Sequence, residues 1–127
     1  MNELVDISRE LSEQLTGLEF DDPVGTVYRP VQYAWPVHCN YLQTYGSSRP
    51  REVLFVGMNP GPWGMGQTGV PFGDVDFVTG WMGLDGEVEQ PPETHEKKPV
   101  DGLDCDRNEV SGSRLWGWAR ERFGSAD

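Results

Sequence analysis

The chain has 127 residues, the length of one ordinary domain, and a net charge of −11 set by 21 acidic and 10 basic residues. That balance argues against generic nucleic-acid binding, which rests on clustered Lys and Arg, and two cysteines, Cys39 and Cys105, are too few for a disulfide framework or to hold an iron–sulfur cluster. No apolar stretch approaches a membrane span or a secretory h-region, and the first residues carry no basic n-region, so the expectation is a soluble intracellular protein, cytoplasmic in a prokaryote or nuclear in a eukaryote.

Leu4, Ile7, Leu11, Leu15 and Leu18 recur at steps of three and four among charged residues, which predicts an amphipathic helix within residues 1–20. Asp21 to Pro36 is rich in proline and aromatics and predicts an extended, packed connection, with Thr26 to Tyr28 a weak strand candidate. A helix follows from about Pro36 to Tyr45. Residues 51–84 then form one unit of strand, loop and helix. Val53, Leu54, Phe55 and Val56 have the apolar, β-branched and aromatic character of a strand buried on both faces of a parallel sheet. Asp74 is placed to cap a short helix carrying Val75, Phe77, Val78, Trp81 and Met82, with Gly83 as its stop. Residues 85–108 are proline-containing and acidic, and predict a long surface loop. Ser111 or Ser113 starts a last helix, where Arg114, Arg120 and Arg122 form the one basic cluster of the sequence. One convincing strand is too few for a complete parallel sheet, so the expectation is part of a larger α/β domain.

Residues 85–110 alone carry three basic against nine acidic side chains, and the whole sequence has two lysines, Lys97 and Lys98. An acidic, lysine-poor surface suits a salty cytoplasm, where screening makes net charge tolerable; ordinary solubility is the alternative.

Gly57 to Gly73 reads GMNPGPWGMGQTGVPFG, seventeen residues without a charge in a chain that is 24% charged. Six glycines and three prolines make it a shaped backbone surface, and ligands in open α/β sheets bind where such a loop leaves its strand. Gly64 to Gly69 satisfies G-x-G-x-x-G, but it opens seven residues after the loop begins and Pro71 follows where a helix should run. Gly61 to Thr68 imitates a P-loop with Gln67 in place of the phosphate-binding lysine. His38, Cys39, His95 and Cys105 lack the compact spacing of a metal site. No nucleophile elbow is present, and the loop offers no Lys amine, carboxylate or Cys for covalent attack. Taken alone, Asn59 before Pro60 suits a turn, and Phe72, Trp63 and Trp116 suit packing.

At Gly57 to Gly61 and again from Gln67 to Gly73 the sequence resembles the single-strand-selective monofunctional uracil-DNA glycosylases. The flanking PVQYAW (Pro30 to Trp35), Asn40 with Tyr41, and VSGSRLWG (Val110 to Gly117) extend the resemblance over roughly residues 22–120. It implies a three-layer αβα fold with a parallel sheet, of which residues 1–127 would be the incomplete amino-terminal part. It also implies base flipping and cofactor-free, metal-free hydrolysis of the uracil–deoxyribose bond in single- or double-stranded DNA, leaving an abasic site. On this resemblance Asn59 positions the attacking water, Phe72 stacks on the flipped base, Met58 contacts it through its backbone, and Gly61 leaves space beside the pyrimidine C5, so that 5-hydroxymethyluracil could enter. Arg114, Arg120 and Arg122 would at most meet phosphate. The family's later uracil-reading asparagine and its His-Pro-Ser-Pro segment have no counterpart here, so the expectation is a glycosylase fragment. The alternatives are a catalytically inactive base-binding or interaction module and an inert truncated product.

Overall fold

The computed structural model describes residues 2–46 and 50–127. Among these residues helices and irregular loops make up the fold, and the one β-type pairing is an isolated antiparallel bridge between His95 and Lys98. The expected helices form, with shifted boundaries. Helix α1 runs Glu3–Thr16, and the Asn2 side chain accepts from the Leu4 N–H as its cap. The Asp21–Pro36 stretch is not wholly extended: Pro30, at a helix's first position, starts the single turn α2 (Pro30–Tyr33), and α3 (Trp35–Tyr45) follows at once.

Helix α1 departs from its expected packing. Leu4, Ile7, Leu11 and Leu18 are exposed, while Val5 and Ser8 are buried. The docking face is set by polar anchors: Ser8 bonds His38 of α3, and Asn2 Nδ2 donates to the Leu42 carbonyl. These anchors rotate the leucine stripe away from α3.

Val53 to Val56 form no strand. They are 68, 85, 51 and 81% exposed, and the physical reason is plain: a strand buried on both faces needs paired neighbours on both edges and covering layers, and among the described residues none are present. The sheet of the expected αβα fold is accordingly not formed, and Thr26 to Tyr28 likewise form no strand.

The core lies between α3 and the segment after the uncharged loop. Val37, Val70, Val78, Met82 and Leu84 form its buried centre, with Tyr41, Tyr45, Trp81 and Trp116 packed around them. A second cluster joins Tyr33 and Ala34 to Val100. Asp74 caps the turn after the loop by accepting from the Phe77 N–H at 3.4 Å, and Phe77–Trp81 winds as a π-helix closed by Met82 N–H to the Phe77 carbonyl at 2.8 Å. Gly83, at φ +63°, ends it in a conformation that favours glycine.

Residues 85–108 are irregular with their acidic side chains exposed, but they are anchored. Pro91, Val100, Gly102 and Cys105 are buried, and Gly102–Asp104 makes one 3₁₀ turn. Helix α5 (Val110–Phe123) begins ahead of both serines expected to start it, with Glu109 as the capping residue. No described helix is long and apolar enough to cross a membrane.

Candidate functional site

The uncharged loop folds into one side of a cavity of about 590 Å³ lined by Asn59, Gly61, Met65 and Phe72 from the loop, Phe55 and Val56 before it, and Glu109 and Ser111 from the start of α5. Sequence thus brings Asn59, Gly61, Phe72 and Met58 to one place, and the fold supplies an opposite wall.

The floor is α4 (Met65–Thr68), a single turn terminated by Gly69 at φ +74°. Met65 faces the cavity, whereas Gln67 and Thr68 point into protein. Gln67 is 1% exposed; its Nε2 donates to the carbonyls of Pro62 (2.9 Å) and Pro99 (2.7 Å), and its Oε1 accepts from the N–H groups of Asp101 (2.7 Å) and Gly102 (3.0 Å). The residue standing where a P-loop would carry lysine is therefore a clamp between two loops. Thr68 Oγ1 donates within reach of the Gly64 and Gly73 carbonyls and accepts from the Val70 N–H, folding the loop back on itself. Tyr33 donates its hydroxyl to the Gly66 carbonyl, and burial pushes its pKa above the usual phenol range.

His38 holds the loop from below. Its Nδ1 lies 2.7 Å from the Gly69 carbonyl, an acceptor, so Nδ1 carries the proton and Nε2 accepts from the Ser8 hydroxyl at 2.5 Å. Burial lowers its pKa. With both ring nitrogens engaged, His38 is neither a metal ligand nor a group facing the cavity. Among the described residues no three His, Cys, Asp or Glu side chains are grouped to hold a metal.

Phe72 stands at φ +54°, the left-handed region, which is uncommon for a bulky residue. Its ring packs against Gly57, where an added Cβ would come within 3.2 Å. Its carbonyl accepts from the Trp116 indole N–H at 2.8 Å and from the Asp74 N–H at 2.9 Å. Trp116, which composition suggested was only packing, thus orients the residue expected to stack on a base. Gly112 lies so close that any Cβ there would overlap the same carbonyl.

Asp74 ties these parts together. It is fully buried, and its Oδ1 accepts from the Asn108 amide and the Glu109 N–H, both at 2.9 Å. The Glu109 side chain then lies over Gly61 and Gly64. A Cβ on Gly64 would sit 2.9 Å from the Glu109 Cγ, and one on Gly61 would overlap the carboxylate. The face of Gly61 expected to be open is instead covered by Glu109, a residue just beyond the acidic loop to which the sequence assigned no role. Only the crowding at two glycines, invisible without coordinates, reveals it.

Asn59 is exposed, with Nδ2 donating to the Pro60 carbonyl at 3.0 Å. This fixes which way the amide points and presents Oδ1 as the acceptor. Met58 is 97% exposed. Trp63 receives the Arg107 guanidinium on its face at 4.1 Å. Arg114, Arg120 and Arg122 are exposed but do not share one face: at about 100° per residue, Arg120 lies well over 100° around α5 from either of the others. Arg120 covers the Phe77 ring at 4.8 Å.

No protein-family model matches the chain. Curated relatives do. The chain is 54% identical over 114 residues to the single-strand selective monofunctional uracil-DNA glycosylase of Rattus norvegicus, covering 90% of this chain and 41% of the rat protein. The Mus musculus protein of that name is equally similar over 90% of this chain and 40% of its own length, and the Bos taurus protein is 51% identical over 92% and 43%. The chain spans about two fifths of the length of these relatives. Identity of more than half along nine tenths of its residues makes the chain a homologue of part of the single-strand-selective monofunctional uracil-DNA glycosylases.

Proposed function

We propose that the chain carries the base-binding half of a monofunctional uracil-DNA glycosylase acting in base-excision repair. The observation that supports this best is the convergence of Asn59, Gly61 and Phe72 on one cavity. A base flipped out of single- or double-stranded DNA enters that cavity and stacks on the Phe72 ring. Asn59, with Nδ2 held by Pro60, accepts a hydrogen bond from water through Oδ1 and aims the water's lone pair at C1′. The C1′–N1 bond breaks, uracil leaves with the electron pair, and water adds to the resulting oxocarbenium carbon and loses a proton. A neutral amide suffices for this role, because the electrophile is already cationic when water attacks. No cofactor or metal enters this reaction, and its setting is intracellular. The finer fold reading, an αβα sandwich with a parallel sheet extending from Val53 to Val56, belongs to the same proposal.

A second reading rests on one feature. Among the described residues no Lys, Arg or His lines the cavity, and a departing uracil anion needs a hydrogen-bond donor or positive charge at its oxygen. Lacking such a preorganised donor costs about 3–4 kcal/mol, two to three decades in rate. This favours a chain that binds the base and excises it slowly or not at all. Uracil release from a single-stranded oligonucleotide, with Asn59→Ala as control, separates the readings. Release lost in the variant supports the glycosylase; saturable binding without release supports the module. Neither binding nor release, with a cooperative melt, would overturn both.

A further inference from the structure

We propose that Arg107, stacked on Trp63 at the rim of the cavity, is a phosphate-binding residue that holds the backbone of the strand whose base occupies the cavity. The inference rests on the base-pocket reading above. Trp63 lies in the uncharged loop between Gly61 and Gly64, the two glycines over which the Glu109 side chain folds, and directly follows Pro62, which lines the cavity. Arg107 stands two residues before Glu109 on the facing wall. Its guanidinium lies 4.1 Å from the centre of the Trp63 ring, the shortest such distance among the described residues.

The stack is mounted on fixed parts. The buried Cys105 donates its Sγ–H to the Arg107 carbonyl at 3.6 Å, and the next two residues are tied to the buried Asp74, Asn108 by its side chain and Glu109 by its N–H, both at 2.9 Å. On the loop side Gln67 holds the Pro62 carbonyl at 2.9 Å. An arginine set over an aromatic face keeps its charge, and its five N–H donors radiate in the guanidinium plane. The Trp63 ring occupies one face of that plane, and Arg107 is otherwise exposed. Its free edge is the part of an arginine that grips a phosphate by two parallel hydrogen bonds.

Charge decides where the strand runs. The chain carries −11, and among the described residues no Lys, Arg or His lines the cavity, so a phosphate meets no general basic field. Glu109, folded over Gly61, repels a phosphate on that side, and the exposed Asp104 and Asp106 repel one on theirs. Arg107 is the cation set among these carboxylates beside the mouth. One directed cation among anions fixes the path of a single linkage instead of raising affinity along the whole strand, which is the positioning role that phosphate contacts serve.

The test is fluorescence anisotropy with single-stranded oligonucleotides bearing one 2′-fluoro-2′-deoxyuridine, which resists excision, and with undamaged strands for comparison. The phosphodiesters flanking the lesion are replaced one at a time by a neutral methylphosphonate. The wild-type chain is compared with Arg107→Ala and Arg107→Lys, each checked by thermal melting. Across about 50–200 mM salt the slope of log affinity against log salt is expected to be shallower in Arg107→Ala by about 0.7, the worth of one phosphate on a single strand, and low-salt affinity to fall about tenfold or more. Arg107→Lys should restore the slope but not the full affinity, because an ammonium cannot match a phosphate with two parallel donors. A methylphosphonate at one linkage should cost the wild type about tenfold and cost Arg107→Ala almost nothing. An unchanged slope and methylphosphonate profile in Arg107→Ala, with the uracil strand still preferred, would overturn the role of Arg107 alone. A shallower slope with no single linkage picked out would overturn it too, since that is a diffuse field and not a contact. No preference of any of the three proteins for the uracil strand over the undamaged one would overturn the pocket reading and this inference with it.

Discussion

The Gln67 side chain donates to the Pro99 carbonyl at 2.7 Å across 32 residues of chain, from the floor of the pocket to the acidic segment. With its three other bonds, to Pro62, Asp101 and Gly102, this amide satisfies four backbone groups at once. Gln67→Ala leaves them buried without partners and is expected to cost about 3 kcal/mol or more. Gln67→Glu keeps the shape but turns two donors into an acceptor facing two carbonyls, so it should be at least as damaging. Urea denaturation of both variants checks this; an intact Gln67→Glu protein would show that the site needs volume rather than donors.

Stability should depend on pH through His38. The unfolded chain takes up a proton on this histidine near pH 6.5, whereas burial keeps the folded form neutral to lower pH, outweighing the Gly69 carbonyl, which favours the protonated ring. Its contribution is therefore complete above about pH 6.5 and is lost as pH falls through the lower folded value. Denaturant midpoints between pH 4.5 and 8 are expected to fall on the acid side for the wild type, and to fall less steeply in His38→Gln, which cannot titrate.

At Phe72 the usual order of substitutions should reverse. Alanine keeps the strain of φ +54° while losing the ring; glycine loses the ring and relieves the strain. Phe72→Gly is expected to be about 1 kcal/mol more stable than Phe72→Ala, although both lose the stacking surface and with it base binding. Thermal melts of the pair decide the point.

The exposed run from Val53 to Val56 has the residue types that pair with further strands and aggregate. Leu54, at 85% exposure, makes no burial contribution worth keeping. Leu54→Lys should change stability by no more than about 0.5 kcal/mol and reduce self-association measured by light scattering.

Much of this was legible in the residues. The periodicities of α1, α3 and α5 mark helices, because helix formation is local, and Asp74 followed by a short apolar pattern marks a capped turn. An uncharged run of glycine and proline marks a shaped loop, and that loop lines a cavity. What residues could not show depends on distant partners. Val53 to Val56 have strand character, yet a strand exists only with neighbours. The leucine stripe of α1 has the right spacing, but Ser8 and Asn2 select the docked face. Gln67 looks like a missing cation until Pro99 and Asp101 arrive beside it. Glu109 belongs to the site only because Gly61 and Gly64 leave it room. At the loop itself, Asn59, Gly61 and Phe72 were singled out together only through the family resemblance of Gly57 to Gly61 and Gln67 to Gly73; taken alone, Asn59 suits a turn and Phe72 suits packing.

Asp74 gives the pocket a mechanical character. Its carboxylate holds Asn108 and Glu109, the residue that caps α5, its own N–H joins the carbonyl of Phe72, and Trp116 grips that carbonyl from about two turns further along. The Phe72 ring and the Glu109 wall are thus mounted on the same rod. Helix α5 cannot turn about its axis without moving both jaws together, so a torque applied at its far end, near Trp118 and Phe123, would be read as the aperture of the pocket.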